Sequence, residues 1–207
     1  MQEEGGGDLC VLDAVVCVHF AGANLQRILI DVLRRSGLVL LVPQEVCDEI
    51  AGKESKYPGL KQRWARLEAS QYIRVLPRLD AETTPRRVIE VIEHIRDIGL
   101  ESAVRARKDL GEVVVVAYCV HFADQGHEVM ALIDDQEGRL LAASWQVPVL
   151  TIENVLTLAI HLGHFRARSD LQKAYARLRE YGDGLLPLEK SGLLEGHVQW
   201  AQSMAGG

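Results

Sequence analysis

Five acidic residues stand where a folding chain rarely places charge without a use. Asp13 interrupts the apolar run LCVLDAVVCV, residues 9–18, and Asp134 and Asp135 close the run from Val129 to Ile133. Glu49 flanks the apolar stripe of VPQEVCDEI, residues 42–50, and Glu112 directly precedes VVVVAYC. A carboxylate in a buried run carries a large desolvation penalty unless a cation or several donors compensate it. Gathered carboxylates suit Mg2+ or Mn2+, which prefer hard oxygen ligands. Each acid also has an ordinary reading: a hydrogen-bonded Asp at a strand end, a solvated helix edge, a first-turn acid favoured by the helix dipole, or a turn and N-cap.

The elements that must position these acids follow from periodicity. Residues 9–18 read as a buried strand, and 24–35 as a helix with Asn24 as N-cap, stopped by Ser36-Gly37. LVLLV, 38–42, is a second strand, and Pro43 opens a helix running to about Ala51. There, with Val46 and Ile50 inward, Glu49 lies roughly 60° from Val46, Glu45 about 100° and Asp48 about 160° away, so Glu49 is best placed to face the core. Helix is predicted over 62–69, strand over 72–76, and amphipathic helix over 85–100. The valine-rich segment 111–123 reads as a buried helix by length. EVMALI and PVLTI are strands, a helix begins near Gln136, and further helices cover 153–162 and 169–180. Strands separated by helices predict an α/β domain with a mostly parallel central sheet flanked by helices. Ligands bind such sheets beyond the carboxyl ends of their strands.

Length and composition fit one domain with a tail. The 207 residues are 48% hydrophobic and 25% charged, within the globular range. We divide the chain into a flexible N-terminus, 1–8, a domain over 9–165 and a helical C-terminal extension, 166–207. The polar start MQEEGGGD and the absence of a long apolar run predict a cytoplasmic protein without membrane contact. Cys10, Cys17, Cys47 and Cys119 show no CxxC spacing and read as buried thiols. The net charge is −6, yet residues 53–108 hold 13 Lys and Arg against 8 Asp and Glu, a local +5 that could meet phosphates. GxGxxG and GxxxxGK[ST] are both absent, which argues against a nucleotide-binding α/β domain. His161 and His164 share a helix without a carboxylate motif and read as surface or packing residues.

Taken in order, VLDAVVCVHFAG, VPQEVCDEI, DLGEVVVVAYCVHFA and ALIDDQEGRLLA resemble the motifs of PIN-domain nucleases, particularly the VapC-like toxin ribonucleases of bacterial and archaeal toxin–antitoxin systems. The resemblance spans about residues 9–165. It implies a PIN-like fold in which Asp13, Glu49, Glu112 and one or both of Asp134 and Asp135 hold Mg2+ or Mn2+ for catalysis. Thr151 resembles a hydroxyl position near that pocket. Alternation at a strand end turns Asp134 and Asp135 to opposite sides; Asp134 is favoured as metal-facing and Asp135 as helix cap. The resemblance further implies an RNA substrate, a cognate antitoxin and a homodimer, for which the helix 24–35 and LTLAIHLG, 156–163, are the expected interface.

Two features depart from the family pattern. Ala14 stands where Thr or Ser commonly follows the first aspartate, removing a polar contact behind the metal site. The extension from 166 also exceeds the usual compact domain, with Arg166, Arg168, Lys173, Arg177 and Arg179 on a helix-like segment that packs on its own domain, on a partner subunit or against RNA. A non-catalytic PIN-like RNA-binding or protein-interaction module is therefore the alternative.

Overall fold

Asp13 ends the first strand rather than interrupting it. In the computed structural model, which describes residues 7–106, 108–182 and 184–205, strand β1 covers Asp8–Leu12 and helix α1 covers Ala14–Gly22. Asp13 lies between them with φ −89° and ψ 160°, and its Oδ2 accepts the Val15 N–H at 3.0 Å. This N-cap converts extended chain to helix in one residue. The strand expected over 9–18 is thus half helix: α1 is buried on nearly every side, so it has no polar face whose period could reveal it. Residues 1–6 of the expected flexible N-terminus lie outside the described residues, and Asp8 already belongs to β1.

Five parallel strands follow the order β3-β2-β1-β4-β5. They are β1, β2 (Leu38–Pro43), β3 (Ile73–Leu76), β4 (Val129–Leu132) and the two-residue β5 (Val149–Leu150). β1 occupies the centre, with Cys10 opposite Leu40 on one side and Met130 on the other. The chain winds outward in both directions from there, making the crevice beyond β1 and β4 the topological switch point. An all-parallel sheet must be covered on both faces, and the helices supply that cover.

Between the strands run α2 (Gln26–Arg35), α3 (Gln44–Gly52), α4 (Leu60–Glu68), α5 (Arg86–Arg96), α6 (Leu100–Arg105), α7 (Leu110–Asp124) and α8 (Gln136–Ser144). Asn24 does not cap α2: its φ is 57°, and the helix starts after Leu25 without a side-chain cap. The helix expected over 85–100 stops at Arg96, because Asp97 turns left-handed at φ 53°. Glu93 Oε1 then accepts the Leu100 N–H at 2.9 Å, starting α6 on a new axis. All four cysteines are free and buried.

The C-terminal extension packs on its own domain. Helix α9 (Ile152–His161) buries Ile152, Val155, Leu156, Ala159 and Ile160, and it is covered by α2 and by a further helix, α11 (Leu193–Ala205). The apolar surface expected to form a homodimer interface is therefore occupied within the chain: α11 supplies the partner. Helix α10 (Arg168–Arg179) lays Leu171, Ala174, Tyr175 and Leu178 inward and meets α1. His19 Nδ1 donates to Leu178 O at 2.7 Å, and Arg177 donates to Ala23 O, so two α1 contacts hold this helix. Among the described residues no helix is long and apolar enough to cross a membrane.

Contact between α1 and the extension is close enough to test. A Cβ on Gly22 would stand 2.2 to 2.7 Å from three ring atoms of Tyr181, whereas one on Gly52 would meet nothing within 4 Å. Gly22→Ala should lower stability by about 1–3 kcal/mol in urea denaturation. Gly52→Ala should be neutral or stabilise by up to about 1 kcal/mol.

Candidate functional site

The switch point collects acids from four elements. Asp13 follows β1, Glu49 sits on α3, Glu112 lies in the first turn of α7, and Asp135 follows β4 as the N-cap of α8. Asp13 N–H donates to Leu132 O at 3.1 Å, which ties the ends of the two strands together. Asp13, Glu49 and Glu112 line a cavity of about 570 Å3. Gly111 permits a close approach here. A Cβ there would stand 3.0 Å from Glu49 Oε2 and 3.9 Å from Asp13 Oδ1, so glycine lets α7 bring Glu112 alongside both acids.

Asp134 and Asp135 turn to different sides: Asp135 caps α8 as expected, but it is Asp135 and not Asp134 that is turned toward the other acids. Asp135 is the residue turned toward Asp13 and Glu112, whose carboxyls it pushes upward in pKa. Its Oδ1 accepts the Gly138 N–H at 2.8 Å, while Oδ2 is buried and makes no hydrogen bond. Asp134 is turned to α9, where its Oδ1 accepts the Ile152 N–H at 2.9 Å. Residue 135 thus caps its own helix and faces the acids at once. Thr151 serves α9 as well: it is the N-cap, sharing a capping box with Asn154, and the strand expected through PVLTI ends one residue before it.

Electrostatics follow from burial and crowding. Asp13 is only 1% exposed. Burial raises its carboxyl from 3.8 to about 7; Glu49 and Asp135 add to this, and the Val15 and Ala14 N–H groups oppose it. Burial likewise lifts Glu112 from 4.5 to about 8, reinforced by Asp135, Asp13, Asp109 and Glu49. Lys53 stands beside the group, its Nζ 3.5 Å from Glu49 Oε1. Acids that bind protons this tightly hold a proton near neutrality, and a cation could take its place.

The donor types suit Mg2+ or Mn2+, and the bare Asp135 Oδ2 is a ligand atom without a present role. Among the described residues, however, no three His, Cys, Asp or Glu side chains stand close enough to one point to hold an ion as they are. An ion held here would require side-chain rotation, for which Glu49, half-exposed on its helix, has room.

Helical angle alone favours Glu49 over Glu45 as inward-facing, yet Glu45 is the more deeply buried of the two, at 8% exposure. Its Oε1 accepts the Leu79 N–H at 2.8 Å. The segment after β3 folds across that side of α3, and Arg78 in the same segment pairs with Asp48 at 2.6 Å on the cavity wall. No angle measured along one helix could reveal a cover supplied from 34 residues away. The Leu-Gly-Glu sequence at 110–112 did carry a signal for Gly111, a helix-breaking residue kept inside a first turn. The chain matches no protein-family model and none of the curated proteins compared with it.

The raised acids have a signed pH consequence. Both bind protons more tightly folded than unfolded, so the metal-free protein should lose stability as pH rises from about 4 to about 8. A divalent cation competes with those protons, so the rise in melting temperature caused by Mn2+ should grow between pH 6 and pH 8.5. A Mn2+ shift independent of pH would exclude binding at these carboxyls. Asp135→Asn should cut Mn2+ affinity at least about tenfold, whereas Asp134→Asn should mainly lower stability, by about 1 kcal/mol; calorimetric titration of each variant separates the two.

Proposed function

We propose that the protein is a divalent-metal-dependent ribonuclease of the PIN-like kind, hydrolysing RNA phosphodiester bonds as the toxin of a type II toxin–antitoxin pair. The observation that carries this reading is the convergence of Asp13, Glu49, Glu112 and Asp135 from four elements on the switch point, with Gly111 packed against Glu49 and Asp13. Asp13, Glu49, Glu112 and Asp135 would hold Mg2+ or Mn2+, which activates water for attack and offsets charge on the phosphoryl oxygens. Asp13 is held in orientation by the Val15 N–H, and the Ala14 N–H also favours its ionised form although residue 14 offers no hydroxyl. Glu112 and Asp13, with carboxyls near neutrality, can retain or release a proton at their own oxygens as the site fills. Arg78, Lys53 and Lys108 on the cavity wall can meet the backbone on either side of the cleaved phosphate.

The alternative, a non-catalytic PIN-like RNA-binding or protein-interaction module, draws on Ala14 and on the absence of a closed ligand set among the described residues. Cleavage of single-stranded RNA in Mn2+, lost with EDTA, separates the readings. Asp13→Asn should abolish that cleavage with the fold retained, since it removes the charge and keeps the shape. Parental cleavage by Asp13→Asn under saturating Mg2+ would falsify the assignment. As a toxin, the chain should arrest growth when expressed, and a small protein encoded beside it should relieve the arrest.

A further inference from the structure

The C-terminal extension does more than cover hydrophobic surface. After α10 the chain returns across α1, and Tyr181 and Gly182 form one wall of a cavity of about 230 Å3. Tyr57, from the turn between α3 and α4, lines the same cavity and packs against Tyr181, its ring centroid 5.2 Å from that of Tyr181. The two rings meet at 51°, so they form a V and not a closed stack. Lys56 Nζ lies 5.1 Å from the Tyr57 ring centroid. The floor is shared with the acidic site: Glu49 and Lys53 line both cavities, and Asp135 lines this one.

We infer that this cavity is a nucleobase subsite, receiving the base next to the phosphodiester that reaches the acids. The inference rests on the phosphodiesterase reading above. An uncharged flat group suits a cavity edged by two half-buried tyrosine rings, whose surface turned to the cavity can pack on any base. The adjoining phosphate suits Lys53, which lines both cavities. Continuity through Glu49 and Asp135 fixes the order along the strand: a base in this cavity leaves its sugar-phosphate at the boundary with the acidic site. The extension therefore supplies half of the recognition surface, and the subsite exists only where α10 and Tyr181 are docked on α1. A base must leave its helix to enter, which selects single-stranded RNA.

The test uses the full chain, Mn2+ and a single-stranded oligoribonucleotide with one abasic position moved stepwise along it. For the parent, one abasic position beside the cleavage site should lower kcat/KM about tenfold. Tyr57→Leu should show about the same loss on the intact oligonucleotide, with no further loss on the abasic one, while Tyr57→Phe keeps parental values and both variants melt as the parent does. If RNA is cleaved in Mn2+ and Tyr57→Leu still discriminates the abasic position as the parent does, the subsite is overturned and the nuclease reading stands. If the parent neither binds nor cleaves the oligonucleotide, both fall.

Discussion

Asp13 carries a buried carboxyl to the end of the central strand β1, at the switch point between β1 and β4. Two N–H groups at the start of α1 receive it, and burial together with two nearby acids opposes its charge. That balance sets the rest. The capping bond turns the chain from β1 into α1, and α1 then packs against α3, α4 and α10, so the geometry around Asp13 reaches much of the fold. A carboxyl held in this way is a poor structural choice, because a neutral Asn or Ser caps a helix about as well without the repulsion. The penalty is compensated if a cation enters.

The same logic separates the two aspartates that follow β4. Both lie at a helix N-terminus, where partial positive charge favours a carboxylate. Asp134 gives its carboxylate to the start of α9 and so fastens β4 to the last helical layer. Asp135 caps α8 with one oxygen and leaves the other bare among like charges. One strand end thus serves stability and site with adjacent residues, divided by the alternation of side chains.

The extension links stability to the site's surroundings. Gly22 admits the Tyr181 ring, His19 bonds the end of α10, and α11 covers apolar residues of α9 that the rest of the domain leaves open. Small residues on α1 permit a close approach that bulkier ones would block. The wall beside Asp135 and Glu49 is therefore built by a segment more than 120 residues further along the chain than Glu49.

Local pattern in the sequence determined the α/β class, the parallel sheet, most helix spans and the unusual placement of Asp13, Glu112 and the Asp134-Asp135 pair. Those features depend on spacing, burial preference and turn chemistry, which act over a few residues. The break of 9–18 into strand and helix was not legible, because both halves are buried all round and show no period. Nor was the burial of Glu45, since Leu79 and its segment arrive from a distant part of the chain. The choice between Asp134 and Asp135 depended on where α7 and α9 come to rest, and the closure of the α9 face depended on α11. Tertiary structure decided these because each is a contact between segments far apart in sequence, whose free energy is realised only when the sheet has set their positions.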